Sequence, residues 1–168
     1  MKRIYLLFLL ALVPALSWAQ NNFFIEDNSL VWRKVYNNST DVETIAYQLL
    51  HDGHFKEIES SDNLVTAELR NLEIDYSGAG VKRMSLPIYI PNNTFYGFVT
   101  IQIKEGRYRV TIERMVGRGS RLGPVNMNNM TLENGGFDDK FLGQPAMVFD
   151  YTFDKVFSKL SNKQDDEW

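Results

Sequence analysis

Two histidines around a carboxylate, in His51-Asp52-Gly53-His54, are the nearest approach this sequence makes to a metal centre. Two imidazoles and a carboxylate suit zinc, and an open coordination position could activate water for hydrolysis. The pair straddles an expected helix end, where the negative end of the helix dipole already favours a histidine. No further ligand follows at a recognisable spacing. His51 and His54 are therefore weak metal candidates, and neither a metal nor another cofactor is expected.

A hydrolytic nucleophile needs a placed base. Ser120, in Gly119-Ser120-Arg121, has none, and neither Gly-x-Ser-x-Gly nor His-Glu-x-x-His occurs. Asp138 and Asp139 are adjacent and suit a helix start better than acid–base work. Gly117-Arg118-Gly119 and Gly123 lack the spacing and following lysine of a phosphate loop. These residues argue for a protein that is not an enzyme.

The remaining chemistry is cationic. Gln102, Lys104, Arg107, Arg109 and Glu113 fall on one face of an expected hairpin, around Thr100 and Thr111, with Phe98 at its end. Arg114, Arg118 and Arg121 follow. As a solvated sheet face this needs no partner. As a contact surface it would present Gln102, Arg107, Arg109, Arg118 and Arg121 to a protein or a glycan.

The 168 residues are 44% hydrophobic and 23% charged, with 18 Lys+Arg, 21 Asp+Glu and no cysteine. That composition excludes disorder, collagen and disulfide scaffolds. The chain starts as a secretory leader: basic Lys2-Arg3, an apolar run from Ile4 to Leu16, then Ser17-Trp18-Ala19 before a cut ahead of Gln20. The run is shorter than the roughly 20 residues of a membrane span, so the mature protein is not expected to be integral to a membrane. Removing residues 1–19, which carry two bases and no acid, leaves 149 residues with 16 Lys+Arg against 21 Asp+Glu, a net −5. An acidic, exported chain does not suit nucleic acid. Export places it in the periplasm or outside the cell. Residues 20–164 read as a single domain, and 165–168 as an acidic tail.

Leu30 to Tyr36 reads as a strand with Trp32 and Tyr36 on one face, after a polar stretch holding Phe23, Phe24 and Ile25. Thr40-Asp41-Val42-Glu43 forms a capping box with Thr40 as the cap. Val42, Ile45, Ala46, Leu49 and Leu50 follow at helical spacing, and Gly53 suits the left-handed stop. Phe55 to Glu59 is a short strand, and Leu64 onward alternates. The apolar phase then slips from Val65, Ala67 and Leu69 to Leu72, Ile74 and Tyr76, as a bulge near Arg70-Asn71 would produce. Leu86, Ile88 and Ile90 alternate between prolines, as in an edge or irregular strand. In the Phe95–Met115 hairpin a two-residue turn at Glu105-Gly106 pairs Ile103 with Tyr108, Ile101 with Val110 and Val99 with Ile112. Residues 117–136 hold five glycines and four asparagines and read as a long loop. Asp138 to Leu142 suits a short helical turn. A last helix begins with Gln144 as cap and Pro145 in its first turn, with Phe149, Phe153, Val156, Phe157 and Leu160 inward.

The result is an α+β fold: an antiparallel sheet of about five strands with two helices packed on one face, in the order β-α-β4-α. The stretch Phe98 to Thr111, with its Lys-Glu-Gly-Arg-Tyr turn, resembles the central hairpin of a family of exported bacterial domains of unknown function. The leader, the Leu30–Tyr36 strand and the Asp41–His51 helix fall in that family's order. The resemblance spans about residues 25–116 and implies a TATA-binding-protein-like fold with no catalytic residues. The segment from Met84 to Pro91 and the loop after Gly117 depart from the pattern. An exported, non-catalytic binding or envelope-associated module, acting through the polar sheet face and the 117–136 loop, is the expectation. A carrier of a small apolar ligand between sheet and last helix is the second reading, and a metal-dependent hydrolase the third.

Overall fold

The computed structural model describes residues 22–119 and 123–161. The leader at 1–19, Arg121 and the acidic tail at 165–168 lie outside the described residues. In chain order the elements are β1 (Phe23–Glu26), β2 (Ser29–Tyr36), α1 (Val42–His51), β3 (Phe55–Ser61), β4 (Leu64–Leu72), β5 (Thr94–Lys104) and β6 (Arg107–Arg118). After them come β7 (Val125–Asn126), α2 (Met127–Thr131), β8 (Leu132–Glu133), β9 (Gly136–Phe137) and α3 (Gln144–Phe157). The main sheet has seven strands, not five, in the order β1-β2-β6-β5-β4-β3 with β7 paired to β6. Every described pairing in it is antiparallel.

Two hairpins beyond the expected one arise from turn chemistry. Asp27 and Asn28 both adopt left-handed backbone, with φ of 49° and 59°. That is the geometry a two-residue hairpin demands, and it folds β1 back onto β2. Asn134 and Gly135 do the same, with φ of 52° and 78°, to make the small β8–β9 hairpin. Residues 117–136 are therefore not one long loop. β7 pairs Val125 with Gly117, Asn126 caps α2, and the Asn128 side chain accepts the Leu30 backbone N–H at 2.9 Å.

The central hairpin has the expected register, from Lys104 opposite Arg107 through Val99 opposite Ile112. Only Gly106 of its turn is left-handed (φ 72°), so Glu105 needs no unusual backbone. The bulge near Arg70-Asn71 is present, with Asn71 at φ 55° and a register shift between Leu69 and Leu72. The Met84–Pro91 segment is not a strand: it makes a short 3-10 turn at Arg83–Ser85 and further turns, burying Leu86 and Ile90 while Ile88 faces solvent. Pro87 within it and Pro91 at its end deny it N–H groups that a ladder needs.

In α1 the cap is Asp41 rather than Thr40; its carboxylate accepts the Thr44 N–H at 2.7 Å. The helix ends at an extended Asp52 whose N–H reaches the Gln48 carbonyl, so Gly53 has no left-handed role. Leu50 turns outward and only Ile45 and Leu49 are fully buried. Gly143, not Gln144, precedes the first turn of α3.

Both long helices contribute to one core on one face of the sheet, where Val99, Ile101, Val110 and Ile112 are fully buried. Phe149, Phe153 and Phe157 of α3 pack against Phe95, Trp32 and Phe55, with ring centroids 4.8 to 5.9 Å apart. Each such side chain gains roughly 1.5–3 kcal/mol on burial. These rings pack together beneath the last helix. Among the described residues no helix is long and apolar enough to cross a membrane.

Candidate ligand-binding face

His51 and His54 are each engaged by a different backbone carbonyl. His51 Nδ1 lies 2.8 Å from the Tyr47 carbonyl, one turn back in α1. His54 Nδ1 lies 3.3 Å from the carbonyl of Arg70 on β4. Among the described residues no three His, Asp or Glu side chains are grouped to hold a metal ion.

The helix-free face of the sheet carries the polar residues of the hairpin, but it separates them into two places. Gln102, Arg107 and Arg109 surround a depression of about 190 Å³ at the hairpin tip, with Lys104, Tyr108 and Val35. Arg109 donates to the Gln102 side-chain carbonyl. Arg118 pairs across β5 with Thr94, nine residues along β6 from Arg109. At about 3.3 Å per residue that is roughly 30 Å. One ligand group cannot touch both.

The far end is shaped by bulges. β3, β4 and β6 each hold an extra residue beside a non-glycine in left-handed backbone: Glu57 (φ 51°), Asn71 (φ 55°) and Arg114 (φ 53°). A bulge re-aims the side chains that follow it. Here the slip in β6 keeps Met115 and Gly117 buried and Arg114 and Arg118 exposed. Gly97 pairs with Leu69 of β4 and lies opposite the β6 slip; a Cβ there would stand 3.0 Å from an Ile112 methyl and 3.2 Å from the Glu113 carbonyl.

On the face so formed, the Arg114 guanidinium lies over the Phe98 ring at 4.9 Å and that of Arg118 over Tyr96 at 4.5 Å. The Tyr96 hydroxyl donates to Asn71. Glu68, Arg70, Gly97 and these four residues line a depression of about 420 Å³. Arg70 is engaged by Glu68 and Glu57, and its guanidinium pKa is raised chiefly by the Glu68 hydrogen bond. Arg33 is likewise held by Glu26. Neither Arg114 nor Arg118 has a carboxylate at ion-pair distance among the described residues. A guanidinium fixed on a ring still presents its N–H edge, which suits planar anions such as carboxylates.

Sequence reasoning identified Arg118 and grouped Arg114 with it. It missed the stacking on Tyr96 and Phe98, because the β6 slip that brings them together is invisible to strict alternation. An arginine at Arg114 breaking the odd-numbered phase was the available signal.

The fold is similar to that in the crystal structure of a TBP-like protein from Parabacteroides distasonis, with a TM-score of 0.51 at 13% sequence identity. The match covers 83% of this chain and 97% of that one. The fold is TATA-binding-protein-like. A DUF4468 family protein from Bacteroides ovatus is also similar to this chain, at 12% identity and a TM-score of 0.49, over 88% of this chain and 94% of that one. No protein-family model matches the sequence, and no curated protein matches it. Fold alone does not assign an activity; the site must do so.

Proposed function

We propose that this chain is an exported, non-catalytic binding module that acts through the bulged end of its outer sheet face. The observation that carries this reading is the pair Arg114 and Arg118, stacked on Phe98 and Tyr96 beside a depression and unpaired with carboxylate among the described residues. Cations held in register with no internal counter-ion are set for an external one. The basic, apolar and small-residue regions of 1–19 support export, to the periplasm or beyond, where the partner is an envelope protein or glycan.

Two measurements test it. Cell fractionation with N-terminal sequencing should find an exported chain beginning at Gln20; an intact Met1 in the cytoplasm overturns export. The immobilised wild-type protein should retain an envelope component that R114A/R118A, with unchanged thermal midpoint, retains at least tenfold less. Equal retention by the double variant removes this face from consideration.

A further inference from the structure

Resting on that reading, we propose that the occupant of the bulged end is an acidic glycan, a sugar chain bearing carboxylate or sulfate groups. The depression beside Arg114 does not stand alone. A second, of about 400 Å³, is lined by Arg118 as well, together with Glu73, Arg83, Asn93 and Thr94. Arg118 is thus common to two adjoining hollows of unlike chemistry. The first offers guanidinium edges on aromatic supports. The second offers a carboxylate, Glu73, with no ion pair among the described residues. It is also lined by Asn93, which is only 7% exposed and whose buried side-chain N and O atoms have no hydrogen-bond partner among the described residues.

A buried amide with neither donor nor acceptor satisfied among the described residues calls for a partner beyond them. A sugar hydroxyl both donates and accepts, so it complements an amide and a carboxylate together. An anionic substituent on the same or the next ring then meets Arg118 and Arg114. An acidic peptide fits less well. The site is a sheet face whose backbone groups are spent in the β4–β5–β6 ladders, so no strand can be added there. Such a peptide would also lack the ring hydroxyls that complement Glu73 and Asn93. Nucleic acid carries denser charge, and Glu57, Glu68, Glu73 and Glu113 oppose it.

The test is calorimetric titration of the mature protein with polygalacturonate, chondroitin sulfate, dextran and poly-L-glutamate. At least one acidic glycan should bind, more tightly than dextran or polyglutamate, and binding should weaken with salt. R114A/R118A should lower the affinity about tenfold or more, as expected for lost charge-assisted hydrogen bonds. R107A/R109A, at the distant tip, should change it less than twofold. N93L should weaken binding while its thermal midpoint stays level or rises; if N93L does not fold, E73A at the exposed Glu73 reports on the same hollow. Polyglutamate binding as tightly as the glycans, and lost in R114A/R118A, would overturn the glycan assignment and leave the face an anion site. Binding that survives R114A/R118A unchanged would overturn both. No binding to any of the four probes would overturn the glycan assignment, while the envelope-retention experiment judges the face independently.

Discussion

The indole N–H of Trp32 donates to Asp150 Oδ1 at 2.7 Å, and the same oxygen accepts from the Asn22 side chain at 2.7 Å. One carboxylate of α3 thus fixes β2 and the residue leading into β1. Trp32 is fully buried, so its N–H has no recourse to solvent.

Asp150→Ala should therefore cost about 1–3 kcal/mol, the penalty of an orphaned buried donor. Asp150→Asn, which retains an acceptor, should cost less. Urea denaturation measures both. A D150A variant as stable as the parent would show that the indole finds another acceptor.

Two tyrosines link stability to alkaline pH. Burial first, and then the Asp154 carboxylate that accepts its hydroxyl at 3.0 Å, push the Tyr36 pKa far above its usual 10.0. Burial, with Asp138 adding to it, pushes Tyr89 up to about 12. Above pH 10 the unfolded chain loses phenolic protons that the native chain keeps. Their contribution is complete below pH 10 and declines as pH rises, by about 1.4 kcal/mol per pH unit per tyrosine while only the unfolded side ionises. Denaturation midpoints from pH 8 to 12 should fall less steeply in Tyr36→Phe. An identical slope would refute the assignment to Tyr36.

The cap of α1 separates two neighbouring residues. Asp41→Ala removes the acceptor of the Thr44 N–H and should cost about 1 kcal/mol. Thr40, whose hydroxyl is buried without a partner among the described residues, should tolerate Val with little loss. Thermal denaturation ranks the two; a greater loss at Thr40 would restore it as the cap.

The bulged end depends on Gly97 and on the left-handed Asn71. Gly97→Val would drive side-chain atoms into Ile112 and the Glu113 carbonyl, with an expected cost of about 1–3 kcal/mol from overpacking. Asn71→Gly should be neutral or stabilising on backbone grounds, and Asn71→Val destabilising, because a β-branched residue resists positive φ. Chemical denaturation of the three variants checks the order.

Period-two alternation and a single Glu105-Gly106 turn determine the register of the central hairpin, since each pairing follows from neighbours in the chain. The Val65-to-Leu72 phase slip likewise announced its bulge, and the spacing of Phe149, Phe153 and Phe157 their common burial. The β1–β2 and β8–β9 turns were also written locally, in Asp27-Asn28 and Asn134-Gly135, but their strands are too short to alternate visibly.

What only the tertiary structure decided is where the cations of the outer face stand. The sequence reading joins Arg118, taken as part of the loop after the hairpin, to Arg109 in one contact surface; the extended backbone sets them far apart, and the slip at Arg114 turns Arg118 onto Tyr96 of the neighbouring strand. A side chain's direction is local and repeats every second residue. Its company depends on register between strands distant in sequence, and one extra residue resets it.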